Sequence, residues 1–310
     1  MKKKNMEKLK SGDNVALVAT ARKVTQAEME PAIRLLESWG LKVTVPERLY
    51  ISDNQFAGSD SHRAALIQNL LDDPGIKAVF CARGGYGTVR IIDRLDFSRF
   101  VQHPKWIVGY SDVTVLHSHI ARNFGIPTLH ATMPINIPSD SAEWGCPAVA
   151  SLHRVLFDGS LHYNFDNWLC DLPNRAGECR GVLTGGNLSI LYSLLGSASD
   201  IDTDGKILII EDLDEYLYHI DRMVMALKRA GKFAKLKGLL VGAMSDMHDN
   251  AVPFGCSAEH IVADAVEGYD YPVAFGCRFG HIGNDNCALP LGIETKMCVA
   301  QCSVAIDICL

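Results

Sequence analysis

The sequence predicts a two-domain α/β protein whose first domain is built on a parallel sheet covered by helices on both faces. Three observations predict it. The length of 310 residues suits two domains at about 150 residues each. In the first 130 or so residues, short apolar runs alternate with amphipathic stretches, the pattern of strands joined by helical crossovers. A break rich in proline then separates this region from a second stretch of the same kind.

The elements follow in order. Asn14-Val-Ala-Leu-Val-Ala reads as a buried strand. Thr25-x-x-Glu28 is a capping box, and Ile33, Leu35, Leu36 and Trp39 ahead of Gly40 continue a helix that Pro31 weakens. Then come strand 41–45, helix 61–71 stopped by Pro74-Gly75, and strand 77–81. After a glycine turn the pattern gives helix 88–95, strand 105–109, helix 112–123 and strand 126–129. Residues 134–180 hold four of the twelve prolines and little periodicity beyond a short helix at 148–156. The second region supplies strand 181–184, helix 187–195, strand 206–211, helix 219–230, strand 238–244, helix 257–266, strand 271–276 and strand 302–306. The expected boundaries are a first domain at 1–150, a linker at 151–177 and a second domain at 178–310, with a binding cleft between the domains.

Composition excludes several classes. Thirty basic against 36 acidic residues, a net charge of −6, with no basic block beyond Lys2 to Lys4, argues against a nucleic-acid partner. No apolar run nears the roughly 18 residues a membrane span requires. The basic N-terminus is followed only by the apolar run 15–19, shorter than the apolar core of about 7–15 residues in a signal peptide. The ten cysteines include no Cys-x-x-Cys. They are expected to be reduced, structural thiols of a cytoplasmic protein.

Three candidate functional segments sit at expected strand ends, where parallel sheets present their ligands. Ala82-Arg-Gly-Gly-Tyr-Gly87 allows close backbone approach but lacks the spacing of a phosphate loop, and a tight turn also accounts for it. Gly109-Tyr-Ser-Asp-Val-Thr114 could expose Ser111 on a sharp strand-to-helix turn. Val113 breaks the Gly-x-Ser-x-Gly pattern, and Ser111 or Asp112 could equally be a helix cap. Gly280-His-Ile-Gly-Asn284 places a histidine between loop glycines. A carboxylate partner is at hand in Glu211, Asp212, Asp214 and Glu215. Chemistry alone does not choose among these four, although alternation turns Asp212 away from the face of Glu211. A serine, a carboxylate and a histidine in this order form one of the arrangements that acyl-transfer triads adopt. Cys81 is a poorer nucleophile, because an apolar strand raises its pKa. The Asp246-Met-His248-Asp249 segment is a metal alternative without a partner pattern.

Together with Leu183-x-Gly-Gly-Asn-Leu, Ile210-Glu-Asp-Leu-x-Glu, Ile220-Asp-Arg-Met and Leu289-Pro-Leu-Gly, these segments make the chain resemble the LD-carboxypeptidase family over residues 12–295. These serine peptidases include muramoyltetrapeptide carboxypeptidases and microcin C immunity peptidases. The resemblance implies a flavodoxin-like first domain, an α/β second domain and an active site between them. It further implies Ser111 as nucleophile, Glu211 and His281 completing the triad, and backbone N–H groups of Gly85 and Asp112 as the oxyanion hole. The expected reaction removes the C-terminal D-alanine of murein tetrapeptides in peptidoglycan recycling, in a homodimer that needs no metal or organic cofactor.

Two other readings stand beside it. The same triad could cleave a peptide-nucleotide antibiotic, with Trp144 or Trp168 stacking on the base. Alternatively, the chain could be a non-catalytic two-domain protein that closes on a small ligand.

Overall fold

The computed structural model describes residues 6–166 and 172–310. Its first sheet takes strands β1 (Asn14–Val18), β2 (Lys42–Thr44), β3 (Ile76–Cys81), β4 (Trp106–Gly109) and β5 (Thr128–His130), all parallel, in the order β2-β1-β3-β4-β5. This is the flavodoxin-like order. Helices α1 (Gln26–Ser38), α2 (Asp60–Asp72), α3 (Ser98–Gln102) and α4 (Thr114–Phe124) make the crossovers. Strands covered on both faces cannot alternate, which is why β3 and β4 read as continuous apolar runs.

Local signals explain several boundaries. The Thr25 hydroxyl accepts from the N–H of Glu28 while the Glu28 carboxylate accepts from the N–H of Thr25, so the capping box forms. Pro31 sits inside α1 without ending it. The helix expected at 88–95 is instead two short 3-10 turns, Thr88–Arg90 and Ile92–Arg94. Its first N–H groups are drawn elsewhere: that of Thr88 donates to the Asp112 carboxylate.

After α5 (Pro147–His153), the stretch 151–177 expected as a linker holds a full strand, β6 (Ser160–Asp166). The second sheet runs β10-β9-β8-β7-β12-β13-β6. Its parallel part is β7 (Gly177–Asn187), β8 (Ile207–Leu213), β9 (Gly238–Ser245) and β10 (Val273–Ala274), connected by α6 (Leu188–Ser193), α7 (Leu217–Arg229) and α8 (Ala258–Val266). The antiparallel part adds β12 (Glu294–Ala300) and β13 (Ser303–Cys309) between β7 and β6. The strand expected at 271–276 shrinks to the two residues of β10.

One strand crosses between the sheets. β11 (Leu289–Leu291) leaves the second half of the chain and pairs antiparallel with β5 at the edge of the first sheet. Pro290 is tolerable there because an edge strand can spare a ladder donor. A single apolar core accordingly runs from Leu17 and Val79 to Met297 and Ile306, and a second cluster fills the space between β8, β9, α7 and α8.

Candidate active site

The serine arrives on a strained turn. β4 ends at Gly109, and within two residues the chain enters a 3-10 turn, Ser111–Val113, that leads into α4. Ser111 has φ +61°, a left-handed conformation that costs a non-glycine residue of order 1–3 kcal/mol. Neither Ser111 nor Asp112 caps α4, so the cap alternative does not hold. The glycine loop after β3 lies against the serine: a Cβ built on Gly84 would fall 3.1 Å from Ser111 Oγ. A side chain there would crowd the hydroxyl and push it aside by a few tenths of an ångström.

Asp112 braces this arrangement from below. Its carboxylate is buried and accepts from the N–H groups of Gly87 (3.3 Å) and Thr88 (2.9 Å), tying the serine turn to the glycine loop. Burial raises its pKa, against the pull of those hydrogen bonds. The fully buried Arg63 pins the same loop by donating to the Gly87 carbonyl at 2.8 Å. The backbone N–H groups of Gly85 and Asp112 have no backbone acceptor among the described residues.

The acid and the histidine come from the second sheet. Glu211 lies in the carboxyl-terminal half of β8, two residues before its end, and is fully buried, and its Oε2 meets His281 Nδ1 at 2.7 Å. A carboxylate can only accept, so Nδ1 carries the proton and Nε2 is left for exchange. Burial alone would raise the Glu211 pKa, but the charge and hydrogen bond of His281 outweigh it and hold the carboxyl below its ordinary value. For His281, burial pulls the pKa down and Glu211 more than reverses that, so the imidazole titrates above its ordinary value.

The histidine loop is fixed by Gly280 N–H donating to Asn286 Oδ1 (2.9 Å) and by Ser245 Oγ donating to the His281 carbonyl (2.9 Å). Gly280 has φ +102°, and a Cβ there would fall 2.7 Å from Glu211 Oε2, so the carboxylate reaches the ring only past a glycine. The Tyr110 ring, one residue before Ser111, lies 4.8 Å from the His281 ring and brings the two halves together.

The other acids have separate partners. Asp212 is turned to α6, where it accepts from Asn187 Nδ2 and the Ser189 N–H, both at 2.9 Å. Burial, with Glu211 beside it, pushes its carboxyl up to about 7. Asn187 caps α6, and its own N–H donates to Thr114 Oγ1 (3.0 Å), so the Gly-Gly-Asn segment docks the second half on the helix that follows Ser111. Glu215 pairs with His219 Nδ1 at 2.6 Å, and Asp214 with His248 Nε2 at 2.5 Å. The Asp246–His248–Asp249 alternative does not assemble, since Asp249 accepts instead from the N–H groups of Asn250 and Phe254.

Burial pushes the Cys81 thiol up to about 12, away from nucleophilic use. Among the described residues the nine cysteines are free. Trp144 donates to the Pro138 carbonyl (2.9 Å) and packs beside α1, while Trp168 lies outside the described residues.

Sequence reasoning missed Tyr110 and His130. His130 ends β5, is fully buried, lies 5.8 Å from the Tyr110 ring and is driven by burial down to about 4, hence neutral. A histidine ending a three-residue strand carries no signal that would reveal this.

A serine on a strained strand-to-helix turn, and a buried carboxylate–imidazole pair packed on the neighbouring tyrosine ring, are the kinds of group that hydrolases working through acyl transfer use. The comparisons narrow the class. The LD-carboxypeptidase N-terminal domain matches residues 15–131 and the C-terminal domain residues 180–297. The chain belongs to the LD-carboxypeptidase family and is a carboxypeptidase. It is 36% identical over 305 residues to the probable murein peptide carboxypeptidase of Bacillus subtilis (strain 168), covering 96% of this chain and 93% of that protein. Among solved structures, the fold matches the muramoyltetrapeptide carboxypeptidase from Oxalobacter formigenes with a TM-score of 0.84 at 24% identity, over 96% of this chain and 99% of the other. The microcin C7 self immunity protein MccF matches with a TM-score of 0.84 at 20% identity, over 97% of each chain. The non-catalytic reading is thereby overturned.

Proposed function

We propose that this carboxypeptidase hydrolyses the L,D-peptide bond of murein tetrapeptides and releases the C-terminal D-alanine. The observation that carries the reading is the buried Glu211–His281 pair held beside the Ser111 turn through Tyr110. His281 Nε2 takes the Ser111 proton as Oγ attacks the scissile carbonyl carbon. The N–H groups of Gly85 and Asp112 receive the oxyanion, and Glu211 stabilises the imidazolium. His281 then passes its proton to the leaving nitrogen of D-alanine, and water hydrolyses the remaining ester. The murein substrate rests on the name of the B. subtilis relative. The antibiotic alternative gains nothing at Trp144, whose ring is engaged beside α1.

The reading includes a cytoplasmic, homodimeric enzyme of peptidoglycan recycling. No helix among the described residues is long and apolar enough to cross a membrane. Cell fractionation and light scattering check location and assembly. The decisive experiment is mass spectrometry of murein tetrapeptide after incubation with wild-type and Ser111→Ala protein. Wild type should yield tripeptide and D-alanine. Ser111→Ala should lose at least about 10⁴-fold in kcat with an unchanged Tm. Near-normal turnover in Ser111→Ala would place the nucleophile elsewhere.

A further inference from the structure

The carboxypeptidase reading leaves one requirement unmet. An enzyme that acts at a C-terminus must recognise a carboxylate, and Ser111, Glu211 and the neutral base His281 offer it no cation. The scissile bond joins the terminal residue itself, so the carboxylate lies within about one residue length, 3.8 Å, of the reacting carbonyl. The cation must therefore lie within side-chain reach of Ser111, and the glycine loop is one wall of that space.

The topology supplies the place. In the order β2-β1-β3-β4-β5 the winding reverses between β1 and β3, and ligands of such sheets bind in the crevice beyond that point. One lip of the crevice is the glycine loop after β3. The other is Ala21-Arg22-Lys23, beyond β1, whose backbone is fixed by Ala57 N–H donating to the Ala21 carbonyl and Lys23 N–H donating to the Gln55 carbonyl, both at 3.0 Å.

From this second lip the Arg22 side chain reaches over the first. A Cβ built on Gly85 would fall 2.6 Å from Arg22 Cδ and 2.7 Å from Nε. The guanidinium thus lies over Gly85, the neighbour of the glycine that faces Ser111 Oγ. Of the nearby arginines, Arg90 pairs with Asp60 at 2.9 Å and Arg63 with Asp60 and the Gly87 carbonyl, while Arg83, on the glycine loop itself, is drawn toward Glu28 in an exposed 3.7 Å contact. Arg22 is exposed, and among the described residues it has no ion-pair partner.

We propose that Arg22 binds the C-terminal carboxylate of the substrate and so makes the enzyme an exopeptidase, a role that rests on the carboxypeptidase reading. A guanidinium suits the task because its planar fork can hold both carboxylate oxygens.

The test uses two tetrapeptides that differ only at the end, one a free acid and one a D-alaninamide. Wild type should strongly prefer the acid. Arg22→Gln should lower kcat/KM for the acid about 10- to 100-fold, mostly through KM, the loss expected for one charge-assisted contact. It should leave the amide rate unchanged, so the preference collapses, and Arg22→Lys should restore part of it. Arg22→Gln that keeps the wild-type preference, or that slows both peptides equally, would overturn the assignment while leaving the carboxypeptidase reading intact. Wild type that cleaves neither peptide would overturn that reading and remove the ground for Arg22 with it.

Discussion

Ser111 and His281 are brought near each other, through the Tyr110 ring, from regions prepared by different physics. Around Ser111 the order is conformational: a positive φ, a glycine loop in van der Waals contact, and a buried Asp112 that ties the two together through backbone N–H groups. Around His281 the order is electrostatic: a buried carboxylate and an imidazole that shift each other's pKa against the cost of burial. The first region should fail when shape changes, and the second when charge does. Position and proton affinity can therefore be disturbed separately in this enzyme.

Glu211→Gln should have the largest effect of the variants that separate the two. It should lower kcat by about 10⁴, the loss seen when a triad carboxylate becomes an amide. The pH dependence gives the sign. With Glu211 present, His281 titrates above the ordinary 6.5, so kcat/KM should rise with pH along a limb above that value. Without the Glu211 charge, only the weaker pull of Asp212 opposes burial, and the limb should move down. A limb that stays in place would show that Glu211 does not act on the catalytic imidazole.

Gly84→Ala should come next, at roughly 10²-fold in kcat. The added methyl group crowds Ser111 Cβ and Oγ but leaves the Glu211–His281 pair alone, so the pH limb should not move. Steady-state kinetics across pH separates the two variants, and a shifted limb in Gly84→Ala would mean the regions are coupled.

Glu215→Gln should be the smallest. Its pair with His219 is a half-buried i,i+4 contact away from the cleft, worth about 0.3–0.5 kcal/mol. A slightly lower Tm with kcat within a few-fold of wild type is expected. A loss rivalling that of Glu211→Gln would transfer the triad acid to Glu215.

Most of the parallel framework was legible because buried parallel strands are short apolar runs, and β1, β3, β4, β8 and β9 all are. The capping box of α1 was equally plain. What escaped was pairing at long range. β6 has a period-two pattern, Ser160-Leu-His-Tyr-Asn-Phe-Asp, with Leu161, Tyr163 and Phe165 buried, but it lies in a proline-rich stretch and its partner β13 is about 140 residues away. β11 is three residues with a central proline, and only its partner makes it a strand.

The site divides in the same way. Ser111, Glu211 and His281 stand out as candidates in the sequence because each has a recognisable local setting. The neighbours Tyr110, His130 and the side chain of Asp112 join them through contacts that only the folded chain creates. Arg22 is a surface arginine until β1 and β3 lie side by side.

The crossing of β11 also has a consequence in time. Strands β1 to β5 occupy the first 130 residues, yet the edge strand that closes their sheet against β5 is residues 289–291. As the chain leaves the ribosome, the sheet that carries the serine must wait with β5 open-edged while some 160 residues are made. His281 emerges only just ahead of that strand. Completion of the sheet that carries Ser111 and arrival of His281 therefore fall together near the end of synthesis.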